Sequence, residues 1–478
     1  MNRRDFLKAS AFIAGAMVVD TKTFAARISQ MGVPKLTIGV LSDIHIRGEN
    51  EIPVFEKTLK YFRDRNVDGV IIAGDIADSG LERQMKLVAD TWFRVFPKDR
   101  LPNGHHVERL FIYGNHDMEG FKYSNCIAFL PKEQRDEVIA REAIVNKRAA
   151  YWQKYWHETY KPVYIKTVKG YKFVGAHWED WKGNHDVPAF LEAHRRELAG
   201  SKPFFYFQHP HPKNTCGGQW AWGQDDGAST KALSQFPNCI AFSGHSHTIL
   251  NDERTIWQGA FTSVGTSSLS YTYSLGGREN TYVVGETNKK MPYQMRPVNQ
   301  NDGKQGMIMT VYDDSITIER REFVYDENVG DNWIILLPPP GDRTLSFEYR
   351  TEHAPVPQFL KGDKVTVTRA KGKDRYGVEQ MQTTARFPNV LKKRNGVRAF
   401  DFEVGIELHD QDVYRMACTK RVMSPRFYLG ENKDSGEVTC VFGENEAPAG
   451  RKARFHVRPC NCFGKKGQEI VSDWFDLK

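Results

Sequence analysis

Five short apolar runs, each leading into a residue that can bind a cation, constrain this chain more than any other feature. LTIGVLS leads to Asp43-Ile44-His45, GVIIAG to Asp75, RLFIYG to Asn115-His116-Asp117, FFYFQ to His209, and CIAFSG to His245-Ser246-His247. Runs of this length, rich in β-branched and aromatic residues, read as buried strands. A strand covered on both faces loses its polar alternation, as in parallel sheets. The carboxyl ends of such strands share one rim, where residues distant in sequence converge. Aspartate, asparagine and histidine offer oxygen and imidazole nitrogen, donors suited to divalent transition metals.

Between the first three runs, the spacing predicts helices over Pro53–Arg65 and Leu81–Phe96, so this part of the chain is α/β. Beyond His247, GAFTSVGT, GMIMTVY and SITIERREF read as strands that complete a second sheet. Leu337-Pro338-Pro339-Pro340-Gly341-Asp342 reads as a stiff, extended linker, because consecutive prolines cannot continue a ladder. After it, KVTVTR, AFDFEVGIEL, EVTCVFG, ARFHVRPCN and EIVSDWFDL carry no helical period and predict an all-β sandwich. The expected map is a signal peptide at 1–25, an α/β domain at 33–335, a linker at 336–342 and a β-sandwich at 343–478.

The order D-x-H, G-D, G-N-H-D, a lone His after a strand, then G-H-x-H resembles the calcineurin-like metallophosphoesterases, the family that includes purple acid phosphatases and many bacterial phosphodiesterases. With its surrounding sheet the resemblance covers residues 33–325. It implies a four-layer α/β/β/α sandwich followed by the all-β region. Within the latter, Arg454–Gly464 resembles the late strand and turn of a fibronectin type III-like module. The resemblance further implies two divalent cations, manganese, zinc or iron. Asp43, His45 and His247 hold the first, Asn115, His209 and His245 the second, and Asp75 bridges them. The family's reaction is hydrolysis of a phosphodiester or phosphomonoester by a bridging hydroxide. His116 then protonates the leaving oxygen, and Asp117 hydrogen-bonds His116 and fixes its tautomer. Asp78 is expected as an outer carboxylate. No tyrosine follows Asp75 within Ile76–Asp78, which disfavours a purple iron centre. In His209-Pro210-His211-Pro212 the ligand is His209, which abuts the strand, or else His211. On the first choice His211 lies near the substrate. Arg254 is expected on the rim, where it meets a phosphate.

Several features have plainer readings. Gly183-Asn184-His185-Asp186 repeats the third block but follows EDWK, so it reads as a surface loop. Trp178, Trp181, Trp220 and Trp222 form a lid or one wall of the substrate pocket, or else ordinary loop packing. Arg3-Arg4-Asp5-Phe6-Leu7-Lys8, the short apolar core AFIAGAMVV and Thr23-Phe24-Ala25 resemble a twin-arginine signal. The competing reading is a disordered basic N-terminus. Export places the protein in the periplasm or outside a bacterial cell, with no transmembrane segment in the mature chain. The net charge of +8 falls to +6 on removal of residues 1–25, which hold four basic and two acidic side chains. That surplus suits a small phosphate-ester substrate. No nucleic-acid-binding module is legible, and nothing in the sequence sets an oligomeric state. Of seven cysteines, Cys418 and Cys440 are the best candidates for a disulfide. The alternative function is a non-catalytic binding protein on a degenerate phosphatase scaffold, its β-sandwich binding glycan or protein.

Overall fold

Strand β1 (Leu36–Leu41) serves two cores at once. Its Leu36, Ile38 and Val40 point to one face and Leu41 to the other, the two-residue period of a strand with no solvent side. Gly39 is needed for close approach: a Cβ there would run into the Phe62 ring on the helix Ile52–Asp64. Strands β2 (Gly69–Ala73) and β3 (Glu108–Ile112) repeat the division, with Val70, Ile72 and Phe111 toward the helices and Ile71, Ala73, Leu110 and Ile112 away from them. The three strands run parallel and adjacent. The computed structural model describes residues 32–122, 130–142, 147–218, 221–274, 298–374, 376–410 and 413–478. The expected signal peptide at 1–25 and Trp220 lie outside the described residues.

A second sheet is built from β4 (Val163–Val168), β5 (Tyr171–Ala176), β6 (Phe204–Phe207), β7 (Cys239–Ser243), β8 (Ile256–Gln258) and β9 (Thr262–Gly265), in the order β4-β5-β6-β7-β9-β8. β5, β6, β7 and β9 are parallel neighbours. β10 (Thr272–Ser274) pairs antiparallel with β11 (Val298–Gln300). β12 (Gln305–Val311), β13 (Ser315–Glu322), β14 (Glu327–Asn328) and β15 (Trp333–Leu336) then return to the first sheet, whose order is β14-β13-β12-β1-β2-β3, with β15 also on β13. This corrects one expectation. AFTSVG contributes β9 to the second sheet, but GMIMTVY and SITIERREF complete the first. β12 satisfies the otherwise open hydrogen-bonding edge of β1, and its Met307, Met309 and Val311 add to the inter-sheet core.

Between the sheets, Ile38, Val40, Ile71 and Leu110 meet Phe205, Phe207, Ile240, Phe242 and Val264. Each such fully buried side chain is worth about 1.5–3 kcal/mol. The outer face of the first sheet carries Ile52–Asp64, Glu82–Val95 and Lys147–Trp156 through Phe55, Leu59, Val88, Trp92 and Trp156. The outer face of the second carries Val187–Ala193 and Ala228–Leu233 through Val187, Leu191 and Leu233. The layers run helix, sheet, sheet, helix.

The triproline segment is a folded turn, not an extended linker. Leu337 N–H donates to the Asp314 carbonyl (2.8 Å), Gly341 N–H to that of Pro338 (3.1 Å), and Leu337 and Leu345 pack on the inter-sheet core. Gly341, at φ 64°, supplies the left-handed residue that closes the turn. The compact units divide later, between Phe347 and Glu348.

The helix Phe347–His353 crosses that boundary, and the second unit is otherwise β-rich, its described residues adding only the short helical turns Lys392–Asn395 and Glu431–Lys433. Its strands are β16 (Thr366–Lys373), β17 (Glu379–Pro388), β18 (Asp401–Asp410), β19 (Val413–Met423), β20 (Glu437–Phe442), β21 (Arg451–Cys460), β22 (Ile470–Val471) and β23 (Phe475–Leu477). One antiparallel sheet runs β16-β17-β20 and the other β19-β18-β21-β22, with β23 also on β21. Ala385, Phe387, Val438 and Phe442 from the first pack with Phe402, Val404, Ile406, Phe455 and Val457 from the second. Cys418 and Cys440 are both free thiols, so the expected disulfide is not formed. No described helix is long and apolar enough to cross a membrane.

Candidate metal centre

β1, β2, β3, β6 and β7 all end at one place, and the backbone there is bent to aim side chains inward. Asp43 (φ 51°), His45 (49°), Asp75 (51°), His245 (67°) and His247 (53°) occupy the left-handed region. Non-glycine residues held there cost on the order of 1–3 kcal/mol each, and such strain gathers at functional sites. Glycines make the complementary space. A Cβ on Gly74 would collide with His209, one on Gly114 with Asp75, and one on Gly244 with Asp43.

The expected ligands fall into two groups, and His45 also belongs to a third cluster with Asp78 and His116. In one, His247 Nε2 lies 3.0 Å from Asp43 Oδ1, and His45 Nε2 lies 3.3 Å from His247 Nε2. In the other, His209 Nε2 lies 3.1 Å from Asp75 Oδ2, with a ring nitrogen of His245 in the same cluster. Asp75 Oδ2 is also 3.6 Å from His45 Nε2, so this carboxylate stands between the groups. Asn115 is buried at the start of the short helix Asn115–Glu119 on the same rim.

The histidines are pre-oriented. His209 Nδ1–H donates to the Ala73 carbonyl (2.8 Å) and His247 Nδ1–H to that of Tyr271 (2.8 Å), while His45 Nδ1 meets Asp78 Oδ1 at 3.1 Å. Each contact fixes the tautomer that leaves the Nε2 lone pair facing the centre. Two imidazole nitrogens 3.3 Å apart beside ionised carboxylates suit a shared cation. Ligand atoms about 2.0–2.1 Å from a metal stand about 3–3.5 Å from one another. The donor set therefore fits divalent cations.

Charge is organised accordingly. Burial works against ionising Asp75, yet His209, His116 and His45 outweigh it and hold its carboxyl well below the usual range. Asp43 is likewise lowered despite burial, chiefly by His247. Burial opposes the His209 imidazolium, but Asp75 and Asp43 raise this group to about 9. Burial and then His209 push His245 far down. Cation binding displaces the remaining imidazole protons, so affinity for metal falls in acid.

Three expected contacts are corrected. Asp117 does not hold His116. Its carboxylate instead accepts the backbone N–H groups of Ala77 (2.7 Å), Gly114 (2.8 Å) and Ile76 (3.1 Å), clamping the Asp75 loop to the Asn115 loop. Burial, then Asp75, raises Asp117 to about 7 against the pull of those amides. His116 Nδ1–H donates to the Asp78 carbonyl (2.7 Å), and its backbone N–H donates to Asp75 Oδ1 (2.8 Å). Arg254 is 0 % exposed and its guanidinium grips Asp252 (2.6 and 2.8 Å), so burial removes it from any substrate on the rim. His211 is also buried. Its Nε2–H donates to the Trp222 carbonyl (2.8 Å), and burial lowers it to about 4, so it braces a loop as a neutral imidazole.

Sequence reasoning passed over two neighbours of the site. Tyr271 lies against His247 with ring centroids 4.2 Å apart, and Arg47, exposed, reaches Asp78 Oδ1 at 3.2 Å. For Arg47 a signal existed: it stands two residues past His45 on the same rim. The repeated block at Gly183 is structural. Asn184 Nδ2 donates to the carbonyls of His177 (2.9 Å) and Pro162 (3.2 Å), while His185 is exposed. Among the described tryptophans, Trp178, Trp181 and Trp222 gather around His245.

Residues 36–248 match the family model of the calcineurin-like phosphoesterases. The chain carries a calcineurin-like phosphoesterase domain. Among solved structures it is similar to a dimetal phosphatase from Danio rerio, at 12% identity and a TM-score of 0.34, covering 64% of this chain and 99% of that one. It is similar to a purple acid phosphatase from yellow lupin (Lupinus luteus) seeds, at 13% identity and 0.36, covering 64% and 55%. It is also similar to GAP50, the anchor in the inner membrane complex of Plasmodium, at 8% identity and 0.35, covering 65% and 90%. No curated protein matches the sequence.

Proposed function

We propose that this rim hydrolyses a phosphate ester, a monoester or a diester, with two divalent cations of manganese, zinc or iron. The observation that carries the reading is the convergence of Asp43, His45 and His247 on one side and Asp75, His209 and His245 on the other. The first three would hold one cation. His209, His245 and Asn115 would hold the second, with the Asp75 carboxylate between them. When bound, such a pair acidifies a water and neutralises the phosphate oxygens.

The chain's own groups do the rest. Asp75 Oδ1 is tied to the His116 N–H, which fixes where Oδ2 points. His116, anchored through Nδ1 on the Asp78 carbonyl and partly exposed, delivers a proton to the departing oxygen. Arg47 keeps one edge on Asp78 and offers positive charge to a phosphate oxygen at the mouth.

The test is to strip the protein of metal and reload it with manganese, zinc or iron. Turnover is then measured on nitrophenyl phosphate and bis-nitrophenyl phosphate. Metal-dependent cleavage of at least one ester, lost in Asp75→Ala, is the expected result. A loaded protein that cleaves neither ester in any metal form would sink the reading.

A further inference from the structure

The loop Asp180-Trp181-Lys182-Gly183 is a tight turn with a tryptophan at its tip. Gly183 N–H donates to the Asp180 carbonyl (3.1 Å), Lys182 N–H to Asp180 Oδ1 (2.7 Å), and Gly183 takes φ 116°. Such a turn favours polar tips, yet Trp181 leaves 57 % of its surface in water. Its ring is nonetheless held in place. Trp178, buried beneath it, meets it edge-on with centroids 4.9 Å apart at 84°. Asn184 pins the base of the turn through its two carbonyl contacts.

A second ring comes from elsewhere in the chain. Trp222 follows the glycines at 217 and 218, and its carbonyl is held by the buried His211. Its indole stacks on His245 (4.6 Å, 19°), and half of its surface is exposed. Trp181 lies 5.6 Å from the same histidine, and Tyr273 is 6.2 Å from Trp222. Two exposed indoles thus flank one candidate ligand at the rim. Each is backed by a buried partner, so little freedom remains to be lost when something covers it.

We propose that Trp181 and Trp222 select phosphate esters whose organic group carries a flat aromatic ring, a nucleobase or an aryl group. The inference rests on the hydrolase reading above. An ester held through its phosphate at the donor cluster leaves its organic group at the mouth, beside these rings. Indole faces offer apolar π surface, which favours offset or edge-on contact with another ring over an alkyl chain. Stacking of this kind tolerates different bases, because each has a π face.

The experiment compares phenylphosphonate with methylphosphonate binding to the metal-loaded protein, read by tryptophan fluorescence. It pairs this with kcat/KM for benzyl phosphate, adenosine 5′-monophosphate and ethyl phosphate, all esters of poorly acidic alcohols. The expected result is a preference of about tenfold or more for the ring-bearing compound in both readouts. Trp181→Ala lowers that ratio about tenfold, and Trp181→Phe keeps most of it. The better of the nucleotide and the benzyl ester identifies the source of the ring. Equal binding of the two phosphonates overturns the inference, as does a preference that survives the Trp181→Ala/Trp222→Ala double variant. Turnover without ring preference sinks this inference alone. Ring preference in binding without turnover of any ester sinks the hydrolase reading alone.

Discussion

Gly114-Asn115-His116-Asp117 and Gly183-Asn184-His185-Asp186 are the same four letters put to opposite uses. The first block leaves β3, whose apolar run is buried between two cores, and its polar residues fall on the rim with Asp75 and His209. The second leaves a surface turn. Asn115 is buried at the start of the short helix that leaves the rim, whereas Asn184 spends its amide on two backbone carbonyls. His116 contacts the Asp75 and Asp78 loops, whereas the exposed His185 pairs with Asp180. Asp117 clamps three amides in the interior, whereas Asp186 is exposed. What distinguishes them is the element that feeds the block. A buried parallel strand delivers its last residues to a shared rim, whereas the turn spends Asn184 on neighbouring backbone and leaves His185 and Asp186 in water.

Exchanging each asparagine for alanine separates the two blocks most widely. Asn115→Ala should lose one cation and more than the roughly 10–100-fold in activity typical of outer-sphere changes. Asn184→Ala should keep both cations and lose about 1–3 kcal/mol of stability, since it strands two buried carbonyls. Metal analysis of the two purified variants decides the matter. Loss of metal from Asn184→Ala alone would reverse the assignment of the blocks.

The histidines give a smaller contrast that depends on the substrate. If His116 delivers the proton, His116→Ala should slow esters of poorly acidic alcohols by about 10²–10⁴-fold. A nitrophenyl ester, whose leaving group needs no proton, should suffer far less. An equal loss on both kinds of ester would assign His116 to binding or positioning.

Asp117→Asn probes a role that sequence order concealed. Its amide offers one acceptor oxygen where the carboxylate offers two, so at least one N–H contact to the Asp75 or Asn115 loop is lost. Such a hydrogen bond is worth about 0.5–1.5 kcal/mol to a neutral carboxyl and about 1.5–3 kcal/mol to an ionised one. The variant should melt earlier and lose activity on both kinds of ester together. A denaturation midpoint equal to that of the wild type would show that the clamp contributes nothing.

The same residue shows what could be read in advance. The strand-end blocks were legible because each follows a run too apolar to lie anywhere but inside, and their convergence follows from parallel strands sharing one end. The partner of Asp117 was not legible. His116 and Asp117 are consecutive residues on a helical turn, and neighbours at i and i+1 point apart, so adjacency in sequence argued for the wrong contact. Arg254 was misplaced because Asp252, two residues earlier, captures its guanidinium in a turn that no periodicity announces. The place of β12 beside β1 is a pairing across more than 260 residues, set by which edge stood open and not by local pattern. The left-handed backbone at Asp43, His45, Asp75, His245 and His247 has only a weak sequence signal, because aspartate and histidine enter that region more often than other side chains but far less readily than glycine.

The smallest expected effect is the one that closes the contrast. His185 Nε2 meets Asp180 Oδ2 at 3.0 Å, but both side chains are nearly half exposed, where such pairs are worth about 0–1 kcal/mol. His185→Ala should therefore leave metal content and turnover within about twofold of the wild type. The turn beneath it is held independently, by Lys182 N–H on the other oxygen of Asp180 and by the Asn184 amide, so Trp181 should stay where it is. If His185→Ala instead releases a cation, the second block takes part in the centre, and reading these blocks by the element that feeds them fails.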